Sequence, residues 1–272
     1  MYLFSNLILM SLPGISLGRL IFTLSSLLVF ASPLFAQLKF RDAPNQQTPN
    51  FLEEAQASEF YDQFLKSQMI GNFELIFDLE IRPYRKPTRV YSGLMIGSWL
   101  SEEKKTTVKI LNPNNGQHIL SLDASHSEQS IDLGIKRNDD KIFQLLPPEK
   151  RFESLHENIP LSPFAFTFEF LYWPQKSYLG PTRILGRPAH QFRLTTPDSD
   201  QVIKSVDVTI DEDFYALLEA SFLDENKNIL KSLEVRGFGK IDDQWTIKHW
   251  RIASPITKDS IHFKVSDFSI QK

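Results

Sequence analysis

The feature that most constrains the fold is a run of short alternating segments between Arg183 and Ile270. Apolar and polar side chains alternate within each segment, and polar turns separate the segments. A period of two places the apolar side chains on one face of a strand and the polar ones on the other. The pattern therefore predicts an antiparallel meander with one apolar face. The predicted apolar row contains Val206, Val208, Ile210, Phe214, Ala216, Leu218, Ala220, Phe222, Leu233, Val235, Trp245, Ile247, Trp250, Ile252, Ile261, Phe263 and Val265.

The first half of the chain predicts one helix followed by further strands. Asn50 is a candidate N-cap because Glu53 stands three residues further on, and the helix is expected to end near Gln68. Phe60 and Phe64 lie one turn apart, so they share a face that packs on a sheet or lines a ligand cavity. Strands are predicted over residues 73–82, 90–100, 106–111, 117–122, 130–136 and 141–146.

An aromatic segment between Pro160 and Pro174 carries conflicting signals. A phenylalanine or tyrosine recurs at every second position, which indicates a strand, whereas Ser162-Pro163 is typical of a helix N-cap and first turn. Burial of one phenylalanine is worth about 1.5–3 kcal/mol, so these rings are not expected to lie in water. They form core, cover a cavity, or make an apolar contact patch.

The first 36 residues have the composition of a secretory signal. They contain no acidic residue and one basic residue, Arg19, and their apolar core runs from Leu20 to Phe30. Cleavage is expected after Ala36, and Met10 is an alternative start. A membrane anchor is disfavoured because the longest uninterrupted apolar stretch is well short of the roughly 20 residues that span a bilayer. The sequence therefore predicts a periplasmic protein with a signal peptide over 1–36, a leader over 37–49 and one domain over 50–272.

Composition and charge narrow the classes of partner. Removal of residues 1–36 from the 272 leaves 236 residues, with 29 basic and 33 acidic side chains and a net charge of −4. Nucleic acid is therefore not an expected partner. The chain has no cysteine, which excludes disulfides and a lipid-modified cysteine. The mature protein is expected to be a soluble monomer that depends on its hydrophobic core alone.

No pattern of catalytic residues stands out in the sequence. The six histidines have no metal-ligand spacing, and no HExxH, GxSxG or glycine-rich phosphate loop occurs. The paired acids Asp139-Asp140, Asp211-Glu212-Asp213 and Asp242-Asp243 fall at turns, where acids are common. A two-carboxylate hydrolase is the enzymatic alternative. We expect a protein that is not an enzyme and uses no cofactor or metal.

A cluster of basic residues occupies the turn after the first predicted strand. It consists of Arg82, Arg85, Lys86 and Arg89. A solvated loop is the simpler interpretation, since charges are common in exposed turns. The functional alternative is a small basic rim that meets phospholipid headgroups or an acidic partner.

Several motifs follow one another in a recognisable order in the second half of the chain. They are Tyr178-Leu179-Gly180, Gly186-Arg187-Pro188-Ala189-His190-Gln191-Phe192-Arg193-Leu194, Val208-Thr209-Ile210-Asp211, Leu217-Leu218-Glu219-Ala220, Phe222-Leu223-Asp224, Lys240-Ile241-Asp242-Asp243-Gln244-Trp245 and Arg251-Ile252. This order resembles the outer-membrane lipoprotein-sorting protein family of the LolA/LolB type over roughly Pro160 to Ile270. The motifs are structural rather than catalytic.

The resemblance implies an α+β, mainly β fold. Its sheet is antiparallel and strongly curved, an incomplete β-barrel, with a few helices covering the concave face, and the aromatic segment is then a short helix. In that family the concave face is an apolar cavity that holds lipoprotein acyl chains in transit across the periplasm. The resemblance thus implies a carrier of acyl chains or another lipid. Its partners would be an inner-membrane release complex and an outer-membrane acceptor.

Ten residues are expected to face such a cavity, although each is also compatible with ordinary core packing. They are Phe73, Leu75, Phe77, Met95, Trp99, Phe166, Phe170, Val208, Phe222 and Trp245. The alternative is a non-catalytic periplasmic interaction module on the same fold, whose interior is filled by its own rings, since the chain has 22 phenylalanines. The two interpretations differ in whether an open cavity exists.

Overall fold

Thirteen strands form one antiparallel sheet that is not closed into a barrel in the described part of the computed structural model. The described residues are 49–67, 71–99, 104–112, 114–126, 131–137, 141–198, 200–241 and 244–271. The predicted signal peptide and most of the predicted leader lie outside them. The expected fold class, a mainly β protein with an open antiparallel sheet and few helices, is confirmed.

The sheet consists of two meanders joined by the last strand of the chain. The strands are β1 (Gly71–Arg82), β2 (Arg89–Trp99), β3 (Lys104–Leu111), β4 (His118–His126), β5 (Ile131–Arg137), β6 (Gln144–Leu145), β7 (Gln175–Ile184), β8 (Arg187–Thr195), β9 (Ser205–Asp211), β10 (Leu217–Leu223), β11 (Ile229–Ile241), β12 (Gln244–Ala253) and β13 (Ser260–Gln271). Their order in the sheet is β6-β5-β4-β3-β2-β1-β13-β12-β11-β10-β9-β8-β7. Strand β13 pairs with β1, so the chain returns to the edge of its first meander.

The helical elements among the described residues are few and short. They are α1 (Glu54–Lys66), α2 (Pro163–Thr167) and two 3₁₀ helices, Pro148–Phe152 and Glu169–Tyr172. The short helix predicted in the aromatic segment is confirmed, because Oγ of Ser162 accepts a hydrogen bond from the backbone N–H of Ala165 at 3.3 Å. Residues 163–172 are called the cover segment below.

Two predicted boundaries were wrong. Helix α1 begins at Glu54 rather than after Asn50, because Glu53 is the N-cap and its backbone N–H donates to Oε1 of Gln56 at 3.0 Å. The strand predicted over 141–146 is reduced to Gln144–Leu145. Within the described ranges this strand pairs on one side only, with β5. A short edge strand offers little unpaired backbone to other chains.

Register shifts place both odd and even positions of one strand on the concave face. The pairing of β11 with β12 shifts on both sides of Gly237. A shift of one residue reverses the face to which the following side chains point. Ile247 and Trp250 therefore both reach the concave side although three positions separate them. The pairing of β1 with β13 shifts in the same way between Ile76 and Phe77.

Two glycines of β2 leave room for aromatic rings of β1. A Cβ added at Gly93 would lie 2.1 Å from Cζ of Phe77, and one added at Gly97 would lie 2.0 Å from the ring of Phe73. Such distances are well below van der Waals contact, so each ring occupies the space that a side chain would need. Glycine within these strand positions is thus required by the close approach of a neighbouring side chain.

The closed part of the core lies between the cover segment and the sheet. The rings of Phe164 and Phe170 lie 5.9 and 5.3 Å from the ring of Phe222, measured between centroids. Tyr61 of α1 donates its hydroxyl to the backbone oxygen of Leu171 at 2.8 Å, which ties the helix to the cover segment. Burial raises the pKa of Tyr61, so its hydroxyl remains a hydrogen-bond donor.

Candidate functional site

An open cavity of about 440 Å³ lies between the concave face of the sheet and the cover segment. It lies at the end of the sheet where β1 begins and β2 ends, next to the C-terminal end of α1. Its wall is mainly apolar and includes Phe64, Phe73, Leu75, Met95, Trp99, Val108, Leu122, Ala124, Phe166, Phe168, Leu171, Leu217, Ile247, Trp250 and Phe263. An apolar concave wall with few polar groups is typical of small-molecule sites.

The structure separates the ten predicted cavity residues into two groups. Six of them lie in the wall: Phe73, Leu75, Met95, Trp99, Phe166 and Trp245. The other four are buried and lie outside the wall: Phe77, Phe170, Val208 and Phe222. The ring of Phe77, for example, stacks on that of Phe263 at 4.6 Å between centroids. The protein's own side chains therefore fill one part of the concave face and leave another part open.

Exposed aromatic side chains surround the mouth of the cavity. Phe214, Phe238 and Trp245 are in the cavity wall, yet their exposed fractions are 50%, 37% and 54%. The rings of Phe214 and Trp245 meet at 6.1 Å between centroids, and the guanidinium of Arg187 lies 4.9 Å from the ring centroid of Phe214. These three exposed aromatic residues are called the aromatic rim below.

The exposure of Phe214 differs from the buried position expected from the alternating pattern. Strand β9 ends at Asp211 and β10 begins at Leu217, so Phe214 belongs to the turn between them. Oδ1 of Asp211 accepts the backbone N–H groups of Asp213 and Phe214 at 3.0 and 2.9 Å, which fixes this turn. The three acidic residues at 211–213 correctly indicated a turn in the sequence. The turn continues beyond them to the residue before Leu217.

Strained backbone lies in the cavity wall at two bulky residues. Phe168, at the end of α2, has φ = 55°, and Tyr215, in the turn before β10, has φ = 46°. The left-handed region costs an ordinary side chain about 1–2 kcal/mol, and such strain is often found at ligand sites. No sequence signal marked these positions, because glycine is the usual residue in this conformation.

A few polar groups interrupt the apolar wall. Nε1 of Trp99 donates to Oγ1 of Thr106 at 3.0 Å. The ring of His126 lies between those of Trp99 and Tyr172, at 5.6 and 5.8 Å between centroids. Burial, and then the nearby positive charge of Lys104, lower the pKa of His126 to about 4. The histidine is therefore neutral near pH 7. Sequence reasoning did not identify it as part of a site.

The basic turn lies away from the mouth of the cavity. Arg82 and Arg89 flank the β1–β2 turn, whereas the opposite ends of these strands, at Phe73 and Trp99, border the cavity. Nη2 of Arg82 contacts Oε2 of Glu80 at 2.6 Å, and Nη1 of Arg89 donates to Oδ1 of Asn158 at 2.5 Å. The basic turn is thus separate from the cavity, and it consists of Arg82, Arg85, Lys86 and Arg89. Binding of phospholipid headgroups by this turn stays a prediction.

In the part of the chain that the structure describes, no group of three or more histidine, aspartate or glutamate side chains is arranged to hold a metal ion. No helix there is both long enough and apolar enough to cross a bilayer.

Comparison with known proteins gives matches in structure alone. No family model matches the chain, and no curated protein matches it in sequence. A DUF1329 family protein from Desulfovibrio piger superposes with a TM-score of 0.67 at 13% identity, covering 78% of this chain and 91% of its own. An outer membrane lipoprotein-sorting protein domain from Vibrio parahaemolyticus gives 0.68 at 12% identity, covering 79% and 92%. A LolA superfamily protein from Nitrosomonas europaea gives 0.60 at 12% identity, covering 79% and 94%.

These matches define the class of architecture to which the chain belongs. It is an open antiparallel half-barrel whose concave face is partly covered by helices. More particularly, it is the LolA-like fold that the three structures share. The resemblance seen in the second half of the sequence is thereby confirmed at the level of the fold, and it extends to the first half of the sheet.

Proposed function

We propose that this protein is a non-catalytic periplasmic carrier that holds acyl chains of lipoproteins, or of another lipid, in its cavity. The observation that carries the proposal is the open apolar cavity of about 440 Å³ between the cover segment and the sheet. A volume of this size falls in the range of about 300–1,000 Å³ that is usual for small-molecule sites. The LolA-like fold of its structural neighbours, two of which carry lipoprotein-sorting or LolA superfamily names, supports the same conclusion.

The expected affinity is modest, which suits a carrier that releases its cargo. Each buried methylene contributes about 0.8 kcal/mol, so ten methylenes contribute about 8 kcal/mol. Association costs about 4–15 kcal/mol in lost translational and rotational freedom, which offsets much of that gain. A single chain is therefore expected to bind weakly and reversibly.

The aromatic rim is a suitable place for transfer. Phe214, Phe238 and Trp245 extend the apolar wall of the cavity to the molecular surface. An acyl chain leaving the cavity would pass over these rings rather than through water, which lowers the cost of exposing it. We infer that a donor or an acceptor contacts the protein here.

The alternative function, an interaction module with a filled interior, has one observation in its favour. Phe77, Phe170, Val208 and Phe222 are packed with the protein's own side chains and leave no space for a ligand around them. The two functions therefore differ in whether the remaining cavity is occupied by lipid. Native mass spectrometry of protein purified from membranes tests this directly. Co-purifying lipid supports the carrier, whereas a lipid-free protein that ignores an acyl-chain fluorophore supports the module.

A pair of variants on neighbouring positions of β2 makes the test specific to the cavity. Met95 lies in the wall, whereas Ile96 is on the opposite face and 40% exposed. Met95→Trp should displace about two methylenes of the ligand, worth about 1.6 kcal/mol, and weaken fluorophore binding about tenfold. Ile96→Trp adds a similar ring outside the cavity and should leave binding unchanged. Equal affinities of both variants and the wild type would mean that the fluorophore binds elsewhere.

A further inference from the structure

The ends of β2, β3 and β4 bring polar groups together at one side of the cavity mouth. Lys104 begins β3 and stands directly opposite His126 of β4 in the antiparallel pairing. Opposite residues in such a pair project to the same face, so both lie on the concave side. Nζ of Lys104 is 5.2 Å from the ring centroid of Trp99. Trp99 and His126 are in the cavity wall, and Lys104 adjoins that wall through its contact with Trp99.

The charge of Lys104 has no acidic counterpart in the described chain. No ion pair of Lys104 with a described carboxylate occurs, and its charged group rests on the face of Trp99. Partial burial lowers the pKa of Lys104, which means that the ammonium group is less well solvated here than in water. Arg187, the cation beside the aromatic rim, differs in this respect, because its Nε contacts Oδ2 of Asp211 at 2.5 Å.

His126 adds a second unsatisfied group next to this cation. Its side chain is 6% exposed, and its Nδ1 is buried without a hydrogen-bond partner among the described residues. Buried polar atoms in native proteins are almost always paired, and an exception calls for an explanation. A polar ligand group at this position would supply the missing partner.

We propose that Lys104, His126 and Trp99 form a subsite for the anionic head of an amphiphile whose acyl chain lies in the cavity. The inference rests on the proposed carrier function and adds a ligand class to it, namely single-chain amphiphiles with a carboxylate or phosphate head. The apolar wall takes the chain, and the Lys104 cation compensates the charge of the head. The subsite lies where the chain would end, so the head remains next to water.

Ligands with the same chain and different heads test the subsite. Displacement of the uncharged fluorophore N-phenylnaphthylamine is measured with hexadecanoic acid, hexadecyl phosphate and hexadecanol. The wild type should bind the two acids about fivefold more tightly than the alcohol, equivalent to about 1 kcal/mol, and raised salt should reduce this preference. The acid whose affinity exceeds that of hexadecanol by the larger factor shows whether a carboxylate or a phosphate is the better head.

Substitutions of lysines on one strand assign the preference to Lys104. Lys104→Gln should abolish the preference for the acids over hexadecanol, whereas Lys104→Arg should retain that preference. Lys109 lies on the same strand with its side chain exposed on the opposite face, so Lys109→Gln makes the same change in net charge and should behave as the wild type. Equal binding of the acids and the alcohol by the wild type would overturn the subsite and leave the carrier intact. Failure of all three ligands to displace the fluorophore would overturn the carrier as well.

Discussion

Replacing either of the two β2 glycines by alanine should have different consequences, because the ring above each one differs in its freedom to move. At Gly93 the new Cβ would lie 2.1 Å from Cζ of Phe77, a side chain with no exposed surface. At Gly97 it would lie 2.0 Å from the ring of Phe73, which borders the cavity. The first ring has no free volume to enter, whereas the second ring can move into the cavity.

The two substitutions are expected to change the free energy of unfolding by different amounts. Alanine gains about 0.5–1 kcal/mol over glycine at an unobstructed strand position. Overpacking of a closed core costs about 1–3 kcal/mol. After the gain from alanine is subtracted, Gly93→Ala should lower the free energy of unfolding by about 1–2 kcal/mol. For a domain of this size that corresponds to a fall in Tm of about 2–8 °C. Gly97→Ala should be nearly neutral in stability, but the displaced Phe73 ring should reduce the cavity and weaken acyl-chain binding.

Thermal denaturation and fluorophore titration of the two variants separate these effects. The double variant Gly93→Ala with Phe77→Leu removes the clashing ring atoms, so its destabilisation should be smaller than the sum of the two single changes. A rise in Tm for Gly93→Ala alone would refute the close approach of Phe77. Equal losses of stability in Gly93→Ala and Gly97→Ala, with unchanged fluorophore binding, would refute the claim that Phe73 has space to move.

Two further predictions concern buried ionisable groups. Burial raises the pKa of Glu169, and the contact of its Oε1 with Nη1 of Arg151 at 2.5 Å opposes this rise. Arg151→Met would leave the buried carboxylate unpaired. It should therefore lower the free energy of unfolding, measured by urea denaturation, by about 3 kcal/mol. Adding Glu169→Gln should recover only part of that loss, because Arg151 also donates to the backbone oxygens of Leu146 and Ile131. No recovery would contradict the pairing. The pKa of His126 is about 4 in the folded protein and about 6.5 in the unfolded chain. Between about pH 6.5 and about pH 4 the unfolded state therefore binds more protons than the folded state. The free energy of unfolding should accordingly fall as the pH falls from about 6.5 to about 4. His126→Phe should weaken that dependence without abolishing it, because the pKa of His262 is also lowered to about 4 and those of His118, His190 and His249 are lowered too. An unchanged dependence would argue against a buried neutral His126.

The strands could be predicted well because their signal is local. Alternation along residues 73–82, for example, depends on neighbours two positions apart, and the structure has a strand at Gly71–Arg82. The helix in the aromatic segment is different. Its alternating phenylalanines favoured a strand, whereas Ser162-Pro163 and the family resemblance favoured a helix. The N-cap of α1 was missed because Asn50 and Glu53 have the expected spacing, whereas the true capping box is formed by Glu53 and Gln56.

The division between open cavity and closed core could not be predicted, because it depends on contacts between distant parts of the chain. Phe73 and Phe77 belong to the same apolar row of β1, yet only Phe73 borders the cavity. Phe166 and Phe170 differ in the same way within the cover segment. Which member of each pair is enclosed depends on where the cover segment lies on the sheet, and no local pattern contains that information. His126 was overlooked for a similar reason, since its partners come from other elements.

The open cavity is itself a thermodynamic argument for an apolar occupant. A closed void of 440 Å³ would cost about 10 kcal/mol at roughly 24 cal/mol per Å³, which is comparable to the whole stability of a typical domain. Access to solvent lowers that cost, but water gains little from a wall that includes Val108 and Ala124. An acyl chain in the cavity fills the empty space and removes the contact of water with the apolar wall. A saturating concentration of the fluorophore that binds there should therefore raise the Tm of the wild type by mass action. The rise should be smaller in Met95→Trp, where a new ring already occupies part of the space, and an equal rise in both would mean that the stabilising ligand lies outside this cavity.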